Sequence, residues 1–137
     1  MPKKRGFKSS PNRSKKIKAP ASKQESPEQQ PPYFSLQYLS RKFCLSLCET
    51  EEKAAFADTL HKLSQLPWSQ LKQQPRHGLG YEKIARNAIK SGIPGHIKAD
   101  VTFIAFRFHA KKAMIGYRSG HVFHIVWLDR SFKLYKH

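Results

Sequence analysis

The stretch FRFHAKKAMIGYRSGHVFHIVWLDRSFKLYKH (106–137) concentrates side chains that can hold and act on phosphate. Guanidinium groups grip phosphate oxygens bidentately, and aromatic rings stack on unpaired bases. Metal-free cleavage of RNA needs three things. A base must deprotonate the 2′-hydroxyl, cations must offset charge at phosphorus, and an acid must protonate the leaving 5′-oxygen. Arg107, Arg118 and Lys112 are candidate cations. His137, whose imidazole titrates near neutrality, is a candidate acid or base, and Tyr135 a hydrogen-bond donor or stacking platform. Lys111, Lys112, His121, Arg130 and Lys133 are candidate nucleic-acid contacts. After Glu82 the only acidic residues are Asp100 and Asp129, too few for an oxygen-ligand cage, so neither a metal nor another cofactor is expected.

Other chemistries fit less well. His121, His109, Cys44 and Cys48 match no zinc spacing. A Ser119-His121-Asp129 triad would put its serine in a hairpin turn without a nucleophile elbow. No phosphate-cradling glycine loop of Walker or Rossmann type is present. His124 falls on the expected core face and reads as a buried, hydrogen-bonded structural residue.

The elements that must position these side chains follow from periodicity. From Asp100 onward the apolar period is two. Residues 101–109, 112–118, 121–128 and 132–137 read as four strands with very short connections, hence an antiparallel meander. Two-residue turns at Ala110-Lys111 and Ser119-Gly120 place Ile104, Phe106, Phe108, Ile115, Tyr117, Val122, Val126 and Leu128 on one, helix-covered face. Phe103, Arg107, His109, Lys112, Met114, Arg118, His121, Phe123 and Trp127 then share an open cationic face. A three-residue connection at 129–131 adds Lys133, Tyr135 and His137 to it. A single bulge would reverse the assignments beyond it.

Upstream, FSLQYL (34–39) and KFCLSL (42–47) fit a hairpin or one helix, and their partial alternation favours a strand or hairpin. Thr50 is a candidate cap for a helix running to about residue 66, where Pro67 stops it. A second short helix spans 67–73, and YEKIARNAIKSG suggests another helical turn or two ending at Gly92. The fold class is thus α+β, with two to three helices on one face of a four-stranded antiparallel sheet. Residues 34–137 form a single domain.

Residues 1–33 are rich in Lys, Ser, Pro and Gln, and predict a disordered basic arm that adds non-specific nucleic-acid affinity. Nine Lys and Arg against two Glu leave +7 there, and the other +10 of the +17 net charge falls on residues 34–137. A surface so basic gains from displacing the counterions of a polyphosphate, which makes RNA or DNA the expected partner and an acidic protein the next. Two cysteines without a CxxC pair suggest reduced core thiols in a cytoplasmic protein, and no apolar run reaches membrane-span length.

The order of elements, with Arg107, Lys111-Lys112, Gly116-Tyr117-Arg118 and the closing Tyr135-Lys136-His137, resembles the RelE/YoeB/ParE superfamily of bacterial toxins over roughly residues 34–137. The resemblance implies a ribosome-dependent endoribonuclease of a toxin–antitoxin pair, cutting mRNA and silenced by an acidic antitoxin. Arg107 and Arg118 would contact phosphate, Lys112 would assist, and Tyr135 and His137 would be the catalytic pair. The glutamate base of some members has no counterpart here. ParE-like relatives poison DNA gyrase instead, and a non-enzymatic RNA- or ribosome-binding module is the alternative from a different class.

Overall fold

The computed structural model describes residues 26–136. His137 and residues 1–25 of the expected arm lie outside the described residues.

Helix α1, Thr50–Leu63, starts one residue earlier than Thr50 capping would require. Glu49 is the cap, and its side chain and that of Glu52 reciprocally accept the exposed first-turn amides. Glu52, Phe56, Leu60 and Leu63 fall on one stripe, of which Glu52, Phe56 and Leu63 are buried. Pro67 then breaks the chain, and α2 is a single turn, Trp68–Leu71. Trp68 and Leu71 are fully enclosed, each contributing about 2–3 kcal/mol of apolar burial.

The sheet is five-stranded and mixed. Its strands are β1 (Tyr33–Ser35), β2 (Tyr81–Ile84), β3 (Phe103–His109), β4 (Lys112–Ser119) and β5 (Val122–Asp129), in spatial order β1-β5-β4-β3-β2. β1 runs parallel to β5, and the other pairs are antiparallel. The α+β class and the β3-β4-β5 meander are as the sequence suggests, but a four-stranded, wholly antiparallel sheet is not what forms. β2 takes the start of the segment expected to be helical from Tyr81, because YEKI pairs with β3, and the helical turn of that segment is confined to the 3-10 turn Arg86–Ala88. Residues 41–43 and 45–47 are 3-10 turns rather than strand.

Of the expected fourth strand, 132–137, the described residues 132–136 form no strand. Phe132 adopts a positive φ of 60° and turns the chain back. The buried Asp129 carboxylate accepts the backbone N–H groups of Lys133 (2.8 Å) and Leu134 (3.0 Å). Leu134 and Tyr135 are thereby pressed onto the sheet face away from the helices, and the Lys90 N–H donates to the Leu134 carbonyl at 2.7 Å.

Both faces are consequently cores. Against the helices lie Ile104, Phe106, Phe108, Met114, Phe123, Ile125 and Leu128. On the opposite face lie Phe103, Ala105, Ala113, Ile115, Tyr117, Val126 and Trp127, covered by Ile84, Ile97, Leu134 and Tyr135. β4 is turned over relative to the expected faces. The register shifts between Arg107 and His109, so Arg107 opposes Ala113 rather than Met114. A second shift opposite Ile115-Gly116 puts both Val126 and Trp127 on the outer face.

The arm boundary also moves. Pro27–Gln29 form a 3-10 turn, the Trp68 N–H donates to the Gln30 carbonyl, and the Tyr33 N–H donates to that of His121. Residues 26–33 are therefore part of the fold. Among the described residues no helix is long and apolar enough to cross a membrane.

Candidate nucleic-acid interface

The two register shifts decide where the cations go. Arg107 projects from the outer face and Arg118 from the helix face, so they cannot share one phosphate. Of the expected quartet, Arg107, Arg118 and Tyr135 do not share a single site, and His137 lies outside the described residues. Arg107 does meet Tyr135: both line a groove of about 250 Å³ with Arg76, Glu82, Ala105, Lys111, Ala113 and Lys136. Arg76 and Glu82 pair at 3.1 Å across its rim. Four cations against one carboxylate leave the groove positive, with the Tyr135 ring in its wall. Burial, followed by the charges of Glu82 and Asp129, pushes the Tyr135 phenol up to about 12. At neutral pH it is therefore a hydrogen-bond donor and not a base.

Arg118 lies over the Trp68 ring at 4.1 Å and pairs with Glu28 at 2.7 Å. With Lys72, Tyr81, Lys83, Asp100, Thr102 and Ile104 it lines a groove of about 710 Å³. Glu28 also faces Lys72 at 3.6 Å, and the Arg118 hydrogen bond lowers its carboxyl below the usual range. The two grooves flank strand β2: Tyr81 and Lys83 face one, Glu82 the other.

Lys112 and Arg130, expected on RNA, instead converge on Glu52. Burial alone would raise this carboxyl. The Lys112 ammonium, the Arg130 guanidinium (2.8 Å) and the Glu49 amide outweigh it and lower Glu52 to about 2. This triad fastens α1 to β4 and to the end of β5. His121 occupies the β4–β5 turn, ring to ring with Tyr33 at 4.6 Å, and its carbonyl accepts the Trp68 indole N–H. Lys133 is exposed, on the rim of a separate small groove with Lys42 and Arg130. His124 is half-buried, and its Nδ1 is enclosed without a hydrogen-bond partner, unlike the bonded core residue expected.

Arg76 and Lys136 on the outer groove, and Lys72, Tyr81 and Lys83 on the other, escaped the sequence reading. For Tyr81 and Lys83 there was no periodic signal, since YEKI reads apolar–polar–polar–apolar. Arg76 and Lys136 carry only their charge, because their convergence depends on the turn at Phe132. Compared with protein-family models, curated proteins and solved structures, the chain matches none.

Proposed function

We propose that this protein binds unpaired RNA, with the groove of Arg76, Arg107, Lys111 and Lys136 around Tyr135 as the main contact and the Lys72–Lys83–Arg118 groove as a second. The observation that carries the reading is the convergence of four cations on one buried-edge tyrosine, in a chain of net charge +17. Guanidinium and ammonium groups hold the backbone, and a phenol that stays protonated donates to phosphate or base. A toxin acting on mRNA at the ribosome, held in check by an acidic antitoxin, is a narrower form of this proposal and rests on the RelE-like resemblance alone.

The test is equilibrium binding of a short unpaired oligoribonucleotide to the full chain over a salt series. Log affinity should fall linearly with log salt, and Arg107→Ala with Lys111→Ala should weaken binding and flatten the slope. Salt-independent binding, or full affinity in that double variant, would refute the assignment to this groove.

A further inference from the structure

The groove on the helix face beside β2 holds groups that phosphate alone does not explain. The sheet register builds it. Lys83 pairs with Ile104, and Ile104 with Gly116. Thr102 and Arg118 are the next residues beyond the Phe103–Tyr117 pair, and both line the groove. Lys83 on β2 and Arg118 on β4 thus stand on either side of a floor made by the buried Ile104. The Tyr81 ring, edge-on to Trp68 at 6.0 Å and to Phe106 at 5.4 Å, forms one wall. Arg118 is fixed in advance. Its guanidinium lies over Trp68, Nε donates to the Gly120 carbonyl at 3.2 Å and Nη1 to Glu28 at 2.7 Å, so Nη2 is left for a ligand. Lys83, Asp100 and Thr102 are exposed, and among the described residues their side chains have no hydrogen-bond or ion-pair partner.

Asp100 is the informative member. It shares the groove with Lys72, Lys83 and Arg118 and is paired with none of them, whereas Glu82 in the outer groove is tied to Arg76 at 3.1 Å. An unpaired carboxylate repels a phosphate backbone, but as a pure acceptor it suits a ligand that presents N–H groups. Unpaired bases are recognised on their Watson–Crick edges. Guanine alone offers two adjacent donors there, N1–H and the N2 amine, next to the O6 acceptor. Adenine and cytosine offer one amine beside a ring acceptor, and uracil one N–H between two carbonyls. We propose that this groove reads an unpaired guanine of the bound RNA. Asp100 accepts from N1–H and the N2 amine, and Lys83 donates to O6. The base lies on Ile104 against Tyr81, while Arg118 and Lys72 hold the flanking phosphates. This rests on the RNA-binding reading above and divides the labour between the grooves: the outer one grips backbone, and this one selects sequence.

The experiment measures equilibrium binding of the full chain, at one fixed salt concentration, to a uridine-rich oligoribonucleotide carrying a single guanosine, adenosine or inosine at its centre. The guanosine strand should bind ~10-fold or more tightly than the adenosine strand, with inosine, which lacks only the N2 amine, in between. Asp100→Asn, at an exposed position, should keep the melting temperature and lower the affinity for guanosine to that for adenosine. Removing a negative charge should by itself tighten every strand, so a loss confined to guanosine is not an electrostatic effect. Arg107→Ala with Lys111→Ala should weaken all three strands and keep their ratio. Equal affinity for guanosine and adenosine, inosine binding as tightly as guanosine, or a guanosine preference that survives Asp100→Asn overturns the inference and leaves RNA binding standing. No binding of any strand removes both readings.

Discussion

Glu52 shows how one residue can redirect a charge pattern. It sits on the buried stripe of α1, where an apolar side chain would be expected, and it is 2% exposed. It thereby claims Lys112 and Arg130, which looked like free cations in the sequence. Its carboxyl, at about 2, lies well below the ordinary 4.5. A lowered folded-state value means that stability is complete above pH 4.5 and is lost as pH falls from there towards 2. Glu52→Gln removes this contribution. Its partners are partly exposed and can rehydrate, so the expected loss is about 2–3 kcal/mol, at or below the usual range for breaking a buried pair. Urea unfolding at pH 7 and pH 3 checks both: the deficit of the variant should be large at pH 7 and shrink at pH 3. His124 acts in the same direction at higher pH. Its imidazole is held low by burial and by His96, among the rings of Tyr38 and Tyr117. Thermal stability should accordingly fall as pH drops below 6.5, and His124→Phe should abolish that part of the pH dependence.

Among the elements, β4 carries the tightest constraint. A Cβ on Gly116 would stand 1.8 Å from the His124 carbonyl oxygen, which is backbone and cannot step aside. Gly116→Ala is expected to cost roughly 3 kcal/mol or more, or to prevent folding, as seen by thermal melting. The same place explains what the sequence could and could not reveal. The meander β3-β4-β5 was readable because alternation over 103–129 is strong and the turns are short. The Arg107–Tyr135 contact was also foreseeable, although through a terminal strand that residues 132–136 do not form. The faces of β4 were not, because period-two reasoning carries an undetected extra residue forward as a reversal of every later side chain. Asp129 looked like a turn residue, and nothing local marks it as the acceptor that folds 133–135 back. The hydrogen bond between His96 and Tyr117 depends on a loop that Arg86 anchors by donating to the Ile97 and Lys98 carbonyls, and it leaves no local pattern at all.

At the scale of the whole molecule, positive charge is spread over two grooves on opposite faces of the sheet, separated by its β2 edge. Glu28 partly neutralises one of them through Arg118 and Lys72. Exposed ion pairs of this type contribute little to folding, so Glu28→Ala should leave the melting temperature within a degree or two of wild type while tightening RNA binding several-fold at low salt. Salt titration and calorimetry separate the two effects. If the groove of Lys72, Lys83 and Arg118 takes no part in binding, affinity will not change. Finally, the parallel pairing of β1 with β5 joins Tyr33 to Val122 and Ser35 to His124. Among the described strands, β1 has no mate until residues 122–124 have been synthesised, so a nascent chain carrying β1 must keep that edge unsatisfied while the intervening residues emerge. Closure of the sheet is a late, long-range event, and slow completion follows from this topology.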